Sequence, residues 1–486
     1  MAVLVGIDLG TTTARCVLFD ERGREIRGEY REGAIDFPRP LWAEVPPERW
    51  WTNIARVVRE TLEGYDGPIA GVGVSGLMHA PVLLDEAGTP VVPAQLWMDQ
   101  RSAEQAAAIN RERGVDPHAA ATGAVRAVQT TVSAPKLRWL SECQPEAFRR
   151  ARHLMLPKDY IRFRLCGVAG TDRSDAGGTG LWDREREEWD WEAVDAARVP
   201  RTLVPETRNG GERAGSVTAE AAAATGLPVG TPVAVGGSDV YCTRIAVGPM
   251  QPGDACNYMG TATWIAFVGE VGPDGTPVAR SFGSTSTTGA ALRWARDLLV
   301  GPGDPTDPGA SYERFVTEAA SIEPGAEGLI CIPHLMGERG PRAEPKARGA
   351  FIGLTLRHGR AHLIRALLEG TALQIRRLFD ERGQGLVQRA ITAGGAARSP
   401  LWMQILADVT GVPILTPRVT ETSVLGAAML AGVAAGEFDL RTGMERMVQM
   451  GAHYAADPAR QKRYDALYAQ YRELDEMLLP WYRKED

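Results

Sequence analysis

The chain has 486 residues, of which 44% are hydrophobic and 24% charged, and its formal net charge is -7. That length exceeds what one hydrophobic core ordinarily serves, so two large domains are expected. The mild negative charge, without blocks of one sign, argues against a polyanion-binding surface, and no nucleic-acid partner is expected.

Val3 to Ile7 is a β-branched run that predicts a strand, and Ala14 to Phe19 predicts a second. Between them lies a turn rich in glycine and threonine, with Gly10, Thr11, Thr12 and Thr13. In "PERWWTNIARVVRETLEG" the apolar positions Trp51, Ile54, Val57, Val58 and Leu62 fall at helical spacing, with proline before and Gly64 after. "GPIAGVGVSG" reads as a buried strand, and "APVLLDEAGTPV" as strand, turn, strand. In the second half, "TPVAVGGSD" and "GLICIPHLMG" predict strands, and Gly301 to Gly309 a surface loop. "AHLIRALLEGTALQIRRLF" predicts a helix with Ile364, Leu367, Leu368, Ile375, Leu378 and Phe379 on one side. "RAITAGGAARSP" is strand then glycine turn, followed by the helix "LWMQILADVTG". The amphipathic tail "RYDALYAQYRELDEMLL" is expected to stop at Pro480, and Tyr464, Tyr468 and Tyr471 in it read as core, or else as a homodimer interface. Alternating strands and helices predict an α/β protein. The polar segment "RNGGERAGSV" suggests a division into residues 1–236 and 237–486.

The first turn has a partner. "DLGTTTARCVLFD" is echoed by "YMGTATWIAFV", with Gly260, Thr261 and Thr263 matching Gly10, Thr11 and Thr13. Such turns let backbone N–H groups and hydroxyls converge on phosphate oxygens, and one per half suggests a phosphate gripped from two sides. Neither is a P-loop, since "GxxxxGK[ST]" is absent from both. Asp8, at a strand end, suits a Mg²⁺ ion or a turn cap. Arg15 is an edge residue or a phosphate partner. Asp239 follows two glycines at the end of a buried run, where it reads as a general base or a helix cap. Met78 and His79 lie in a loop after a strand, where the histidine reads as a structural hydrogen-bonding residue or a site residue. "LWMDQRS", with Trp97, and "TDRSDAGGTGLWD", with Asp175, join aromatic and polar side chains in a way that suits a sugar or an ordinary half-buried loop. The turn Gly394, Gly395, Ala396 with Ser399 suits a base and ribose laid against the backbone.

Taken in order, "GIDLGTTTAR", "GLMH", "LWMDQRS", "LPKDYIRFRLCG", "TDRSDAGGTGLWD", "VGGSD", "MGTAT" and "TAGGAARSPLWMQILADVTG" make the whole chain resemble the FGGY carbohydrate kinases. Two longer stretches, "SAPKLRWLSE" and "GAFIGLTLRHGRAHLIRALLEG", look like that family's signatures. The resemblance implies two actin-like (ribonuclease H-like) domains, each a mixed sheet flanked by helices, with ATP and a small sugar in a cleft between them. It implies Asp239 as catalytic base, Asp8 together with Asp239 at Mg²⁺, and the two threonine turns with Arg15 at the phosphates. Gly394, Gly395, Ala396 and Ser399 would line the adenosine site, and Met78, His79, Trp97, Asp175 and Asp239 the sugar site. Within the family the xylulokinases look nearest, which implies phosphorylation of a terminal hydroxyl on a pentulose such as D-xylulose. Leu77, Met98 and Val240 depart from that subfamily's pattern, each where a polar side chain is usual, so gluconate or a polyol is the alternative substrate. A nucleotide-switched binding protein of the same fold is the alternative from a different class.

No run approaches about 18 apolar residues, and the N-terminus lacks the basic region of a signal peptide. The six cysteines show no metal-ligand spacing and read as buried free thiols. A cytoplasmic protein with no membrane contact is expected.

Overall fold

A computed structural model describes residues 3–116, 127–301, 308–338, 344–383 and 385–484. The chain forms two α/β units: Met1–Ala246 with Thr422–Met447, and Val247–Glu421 with Val448–Asp486. The sequence reading cuts the chain once, at 236/237. The compact units divide at 246/247 instead, and residues 422–447 return to the first.

In the first unit, β1 (Val3–Leu9) and β2 (Thr13–Phe19) form an antiparallel hairpin, and β3 (Glu25–Glu32) continues the meander at the sheet edge. The helix Pro47–Leu62 then crosses over to β4 (Ile69–Gly76), which pairs parallel to β1. The sheet is completed by β5 (Arg213–Ser216), β6 (Pro232–Ala234) and the two-residue β7 (Gly237–Ser238). Its order is β5-β6-β4-β1-β2-β3, with β7 pairing β4. Alternation along β1 sends Val3, Val5, Ile7 and Leu9 into one cluster with Trp50, Trp51, Ile54, Val57 and Val58 of the crossover helix. The opposite face carries Gly6, and with it Gly71 and Gly73 of β4. A Cβ on any of these would press into the backbone of the helix Thr422–Ala434, at the carbonyls of Val424, Ala431 and Ala427 respectively. Bare backbone on the sheet lets this apolar helix sit unusually close, which is why a segment distant in sequence joins the first unit.

The second unit repeats the plan. β8 (Asp254–Met259), β9 (Thr263–Val271) and β10 (Pro277–Ser284) form an antiparallel meander. β11 (Arg389–Ala393) pairs parallel to β8, β12 (Ile414–Pro417) parallel to β11, and β13 (Met450–Tyr454) antiparallel at the edge. The order is β10-β9-β8-β11-β12-β13, so each glycine–threonine turn joins the first two strands of its own sheet.

Several expectations need adjustment. Pro480 does not stop the C-terminal helix, which runs Pro458–Tyr482. Its missing N–H falls in the last turn, and Tyr482 beyond it is anchored by donating its hydroxyl to the Arg348 carbonyl at 2.7 Å. Tyr464, Tyr468 and Tyr471 are core residues of the second unit. The second strand read in "APVLLDEAGTPV" reduces to a single bridge between Leu84 and Pro90. Residues 302–307 of the loop expected at Gly301 to Gly309 lie outside the described residues, and a helix begins at Pro308. Five cysteines are buried, whereas Cys143 is exposed. Among the described residues no helix is long and apolar enough to cross a membrane.

Candidate active site

Three parallel strands of the first unit end together. Asp8 of β1 pairs with Ser75 of β4, and Ser75 with Gly237 of β7, so their carboxyl ends converge at one edge. Asp239 follows immediately, as the first residue of the helix Asp239–Ala246. Its Oδ1 accepts the Val240 N–H at 2.8 Å. Burial and then the neighbouring Asp8 carboxylate push the Asp239 carboxyl up to about 7, against the opposing pull of the backbone N–H groups. Two neighbouring carboxylates that repel each other form a hard-oxygen donor pair suited to a divalent cation such as Mg²⁺. Among the described residues no cluster of three or more His, Cys, Asp or Glu could hold a metal, so an ion here would complete its shell with phosphate oxygens and water.

Beside Asp8, the β1–β2 turn closes tightly, with the Gly10 N–H donating to the Thr13 carbonyl at 2.8 Å. The Thr12 carbonyl in turn accepts the Gly33 N–H. Arg15 stands directly opposite Asp8 in the β1–β2 ladder, and its guanidinium lies 5.7 Å from the Tyr30 ring. Trp97 donates its indole N–H to the Thr11 hydroxyl at 3.0 Å, joining the "LWMDQRS" loop to this turn.

Met78 and His79 follow the end of β4, and the "TDRSDAGGTG" segment packs against them. His79 adopts a φ of 74°, the left-handed region a histidine rarely occupies. Two contacts hold it there. Its Nδ1 lies 2.6 Å from the Gly178 carbonyl, and its own carbonyl accepts from the Lys136 ammonium at 3.0 Å. Lys136 is fully buried in the helix Ser133–Cys143, also donates to the Thr131 carbonyl, and is pushed down to about 7 by burial, partly offset by the Asp99 charge. A Cβ on Gly178 would lie 2.5 Å from Met78 Cε and 3.2 Å from the His79 ring. Asp175 is only 1% exposed, and its carboxyl, raised by burial, faces the Lys158 ammonium at 3.3 Å. It belongs to a buried charge cluster beneath the segment.

In the second unit, the β8–β9 turn is braced by hydroxyls. Thr263 Oγ1 lies 2.7 Å from Thr288 Oγ1, which lies 3.0 Å from Thr285 Oγ1. The carbonyls of Gly260 and Thr261 accept the N–H groups of Gly289 and Ala290, at the start of the helix Gly289–Leu299. Parallel pairing of β8 with β11 brings Ala393 opposite Tyr258, so the Gly394 turn lies beside the Gly260 turn. Gly394 has a φ of 91°, and a Cβ there would sit 2.7 Å from the Met259 carbonyl. Gly395 is exposed, Ala396 is buried, and Ser399 caps the next helix by accepting the Trp402 N–H at 3.2 Å. Sequence reading missed the brace Thr285–Thr288, Lys136 beneath His79, and the contacts of Ser174. The hydroxyl run "STSTTG" ahead of a helix was the available signal for the first of these.

Residues 3–246 match the N-terminal domain of the FGGY family of carbohydrate kinases, and residues 264–435 its C-terminal domain. The chain belongs to that family. Its two α/β units accordingly have the actin-like, ribonuclease H-like fold. A xylulose kinase of Lactococcus lactis is 30% identical to this FGGY kinase, the alignment covering 96% of this chain and 95% of that protein. A glycerol kinase of Nocardia farcinica is 31% identical, with 89% of this chain and 90% of the relative covered. The crystal structure of a xylulose kinase from Rhodospirillum rubrum superposes with a TM-score of 0.82 at 31% identity, covering 99% of this chain and all of the other.

Proposed function

We propose that this FGGY kinase transfers the terminal phosphoryl group of ATP to a terminal hydroxyl of a small open-chain sugar, D-xylulose or a related pentulose. The sugar oxygen attacks the γ-phosphorus, the bond to the β–γ bridging oxygen breaks, ADP departs, and Asp239 accepts the hydroxyl proton. The observation that carries this reading is the placement of Asp239 at converging strand ends beside Asp8, with its carboxyl raised to about 7. That value belongs to the metal-free site; a cation beside the carboxylate would lower it, and the group then accepts the proton late in phosphoryl transfer. Mg²⁺, held by Asp8 with Asp239, would neutralise phosphate charge. The hydroxyls and N–H groups of the Thr11–Thr13 and Gly260–Thr261 turns, with Arg15, orient the phosphates. Gly394, Gly395 and Ala396 leave room for the adenosine, and Ser399 fixes the helix behind them. Met78, His79 and Trp97 face the sugar, and Asp175 supports that face from below.

A polyol acceptor is the second reading. Leu77, Met98 and Val240 offer no hydrogen bond where a keto-sugar hydroxyl would seek one, and a glycerol kinase is among the similar proteins. Incubation with Mg-ATP and a panel of pentuloses, gluconate, glycerol and pentitols separates the two. ADP release stimulated most by a pentulose supports the first reading, and stimulation by polyols alone replaces it with the second. ADP release indifferent to every acceptor rejects both.

A further inference from the structure

The residue before the proposed base is held by a chain of contacts reaching into a buried charge cluster. The Ser238 N–H donates to Ser174 Oγ at 2.9 Å, across 64 residues of sequence. Ser174 in turn donates its hydroxyl to Asp172 Oδ2 at 2.5 Å, and its own N–H to the same oxygen at 2.7 Å. The other oxygen, Asp172 Oδ1, faces the Lys158 ammonium at 3.0 Å. Lys158 is fully buried and also pairs with Asp159 and Asp175. Arg162 lies 3.5 Å from Asp159 and donates to the Gly170 carbonyl. Burial raises the Asp175 carboxyl, while Lys158 stands beside Asp172 and Arg162 beside Asp159, so the cluster is held by paired charges. On the other side, Ser238 Oγ accepts the Tyr241 N–H at 3.2 Å and so caps the helix that Asp239 opens.

Ser238 is therefore fixed twice, by its hydroxyl to the helix and by its amide to Ser174. The two-residue strand β7 is held by its pairing with β4 and by the bond from the Ser238 amide to Ser174, and together these set where the next residue points. A hydroxyl that must donate to a carboxylate has its lone pairs turned toward the incoming N–H, which makes Ser174 a directional acceptor.

We infer that Ser174, oriented by Asp172, is a positioning residue for Asp239: it locks the backbone from which the carboxylate reaches the acceptor hydroxyl. The inference rests on the reading of Asp239 as base. A misplacement of the base by a fraction of an ångström lowers turnover without weakening ground-state binding. Ser174→Ala is expected to lower kcat about ten-fold, with KM for sugar and for ATP changed less than about two-fold. Ser174→Thr, which keeps the hydroxyl, is expected to restore most of that loss. In the metal-free protein, the ¹³C titration of the Asp239 carboxyl is expected to move in Ser174→Ala and to stay in place in Ser174→Thr. Unchanged kcat and titration in Ser174→Ala, or equal losses in Ala and Thr, would overturn the positioning role. Asp239→Asn measured alongside separates the two claims: near-normal turnover in that variant removes the base assignment itself.

Discussion

Asp239 holds its proton far above the ordinary carboxyl value of 3.8, to about 7, and the apo protein is destabilised by that charge whenever the group ionises. The folded state binds the proton more tightly than the unfolded state. Stability from this group is therefore complete below about pH 4 and is lost as pH rises toward 7. Asp239→Asn is expected to make the metal-free protein about 1–2 kcal/mol more stable at pH 8 and no more stable at pH 4, a gain discounted for the residue's partial exposure. Denaturant melts at the two pH values check this. Turnover in the same variant is expected to fall by about two or more orders of magnitude, measured as ADP release with the best acceptor. At Gly178, the Met78 side chain must move to admit a methyl group. Gly178→Ala is expected to raise KM for sugar several-fold while leaving KM for ATP unchanged, read by varying each substrate in turn.

At the scale of elements, the helix Thr422–Ala434 lies on glycines, and its tolerance for side chains there is low. Gly73→Ala would force a methyl group into the Ala427 carbonyl. It is expected to destabilise the first unit by about 2–3 kcal/mol, visible as an earlier transition in a thermal melt. How much of this was legible differs from element to element. Both strand–turn–strand motifs and the helix Pro47–Leu62 were readable, because each carries its own period or turn chemistry within a dozen or so residues. The helix Thr422–Ala434 carries no such signal. It is buried all round, so its apolar residues show no preferred face, and its complement lies in glycines roughly 350 to 420 residues earlier. The same holds at the site. Asp8, Asp239 and the paired turns stand at strand ends that sequence pattern exposes. Lys136 meets the His79 carbonyl across 57 residues and Ser174 meets Ser238 across 64, through single bonds that leave no local trace.

For the whole molecule, the important fact is that the first unit is discontinuous. Residues 1–246 lack the helix that covers the glycine face of β1 and β4. A fragment ending at 246 is expected to aggregate or remain loosely packed, with bound dye reporting exposed apolar surface. Joining residues 422–447 to that fragment through a flexible linker is expected to restore a cooperative melt. A fragment of 1–246 that melts cooperatively by itself would show the helix to be dispensable. The same discontinuity dictates a schedule during synthesis. After Ala246 leaves the ribosome, the 175 residues from Val247 to Glu421 must be translated before the covering helix exists. At roughly 5–20 residues per second that is a wait of about 10–35 s. Through that interval the bare glycine face stays open to chaperones and to other nascent chains, so output of this kinase in the cell depends on what shelters the waiting half.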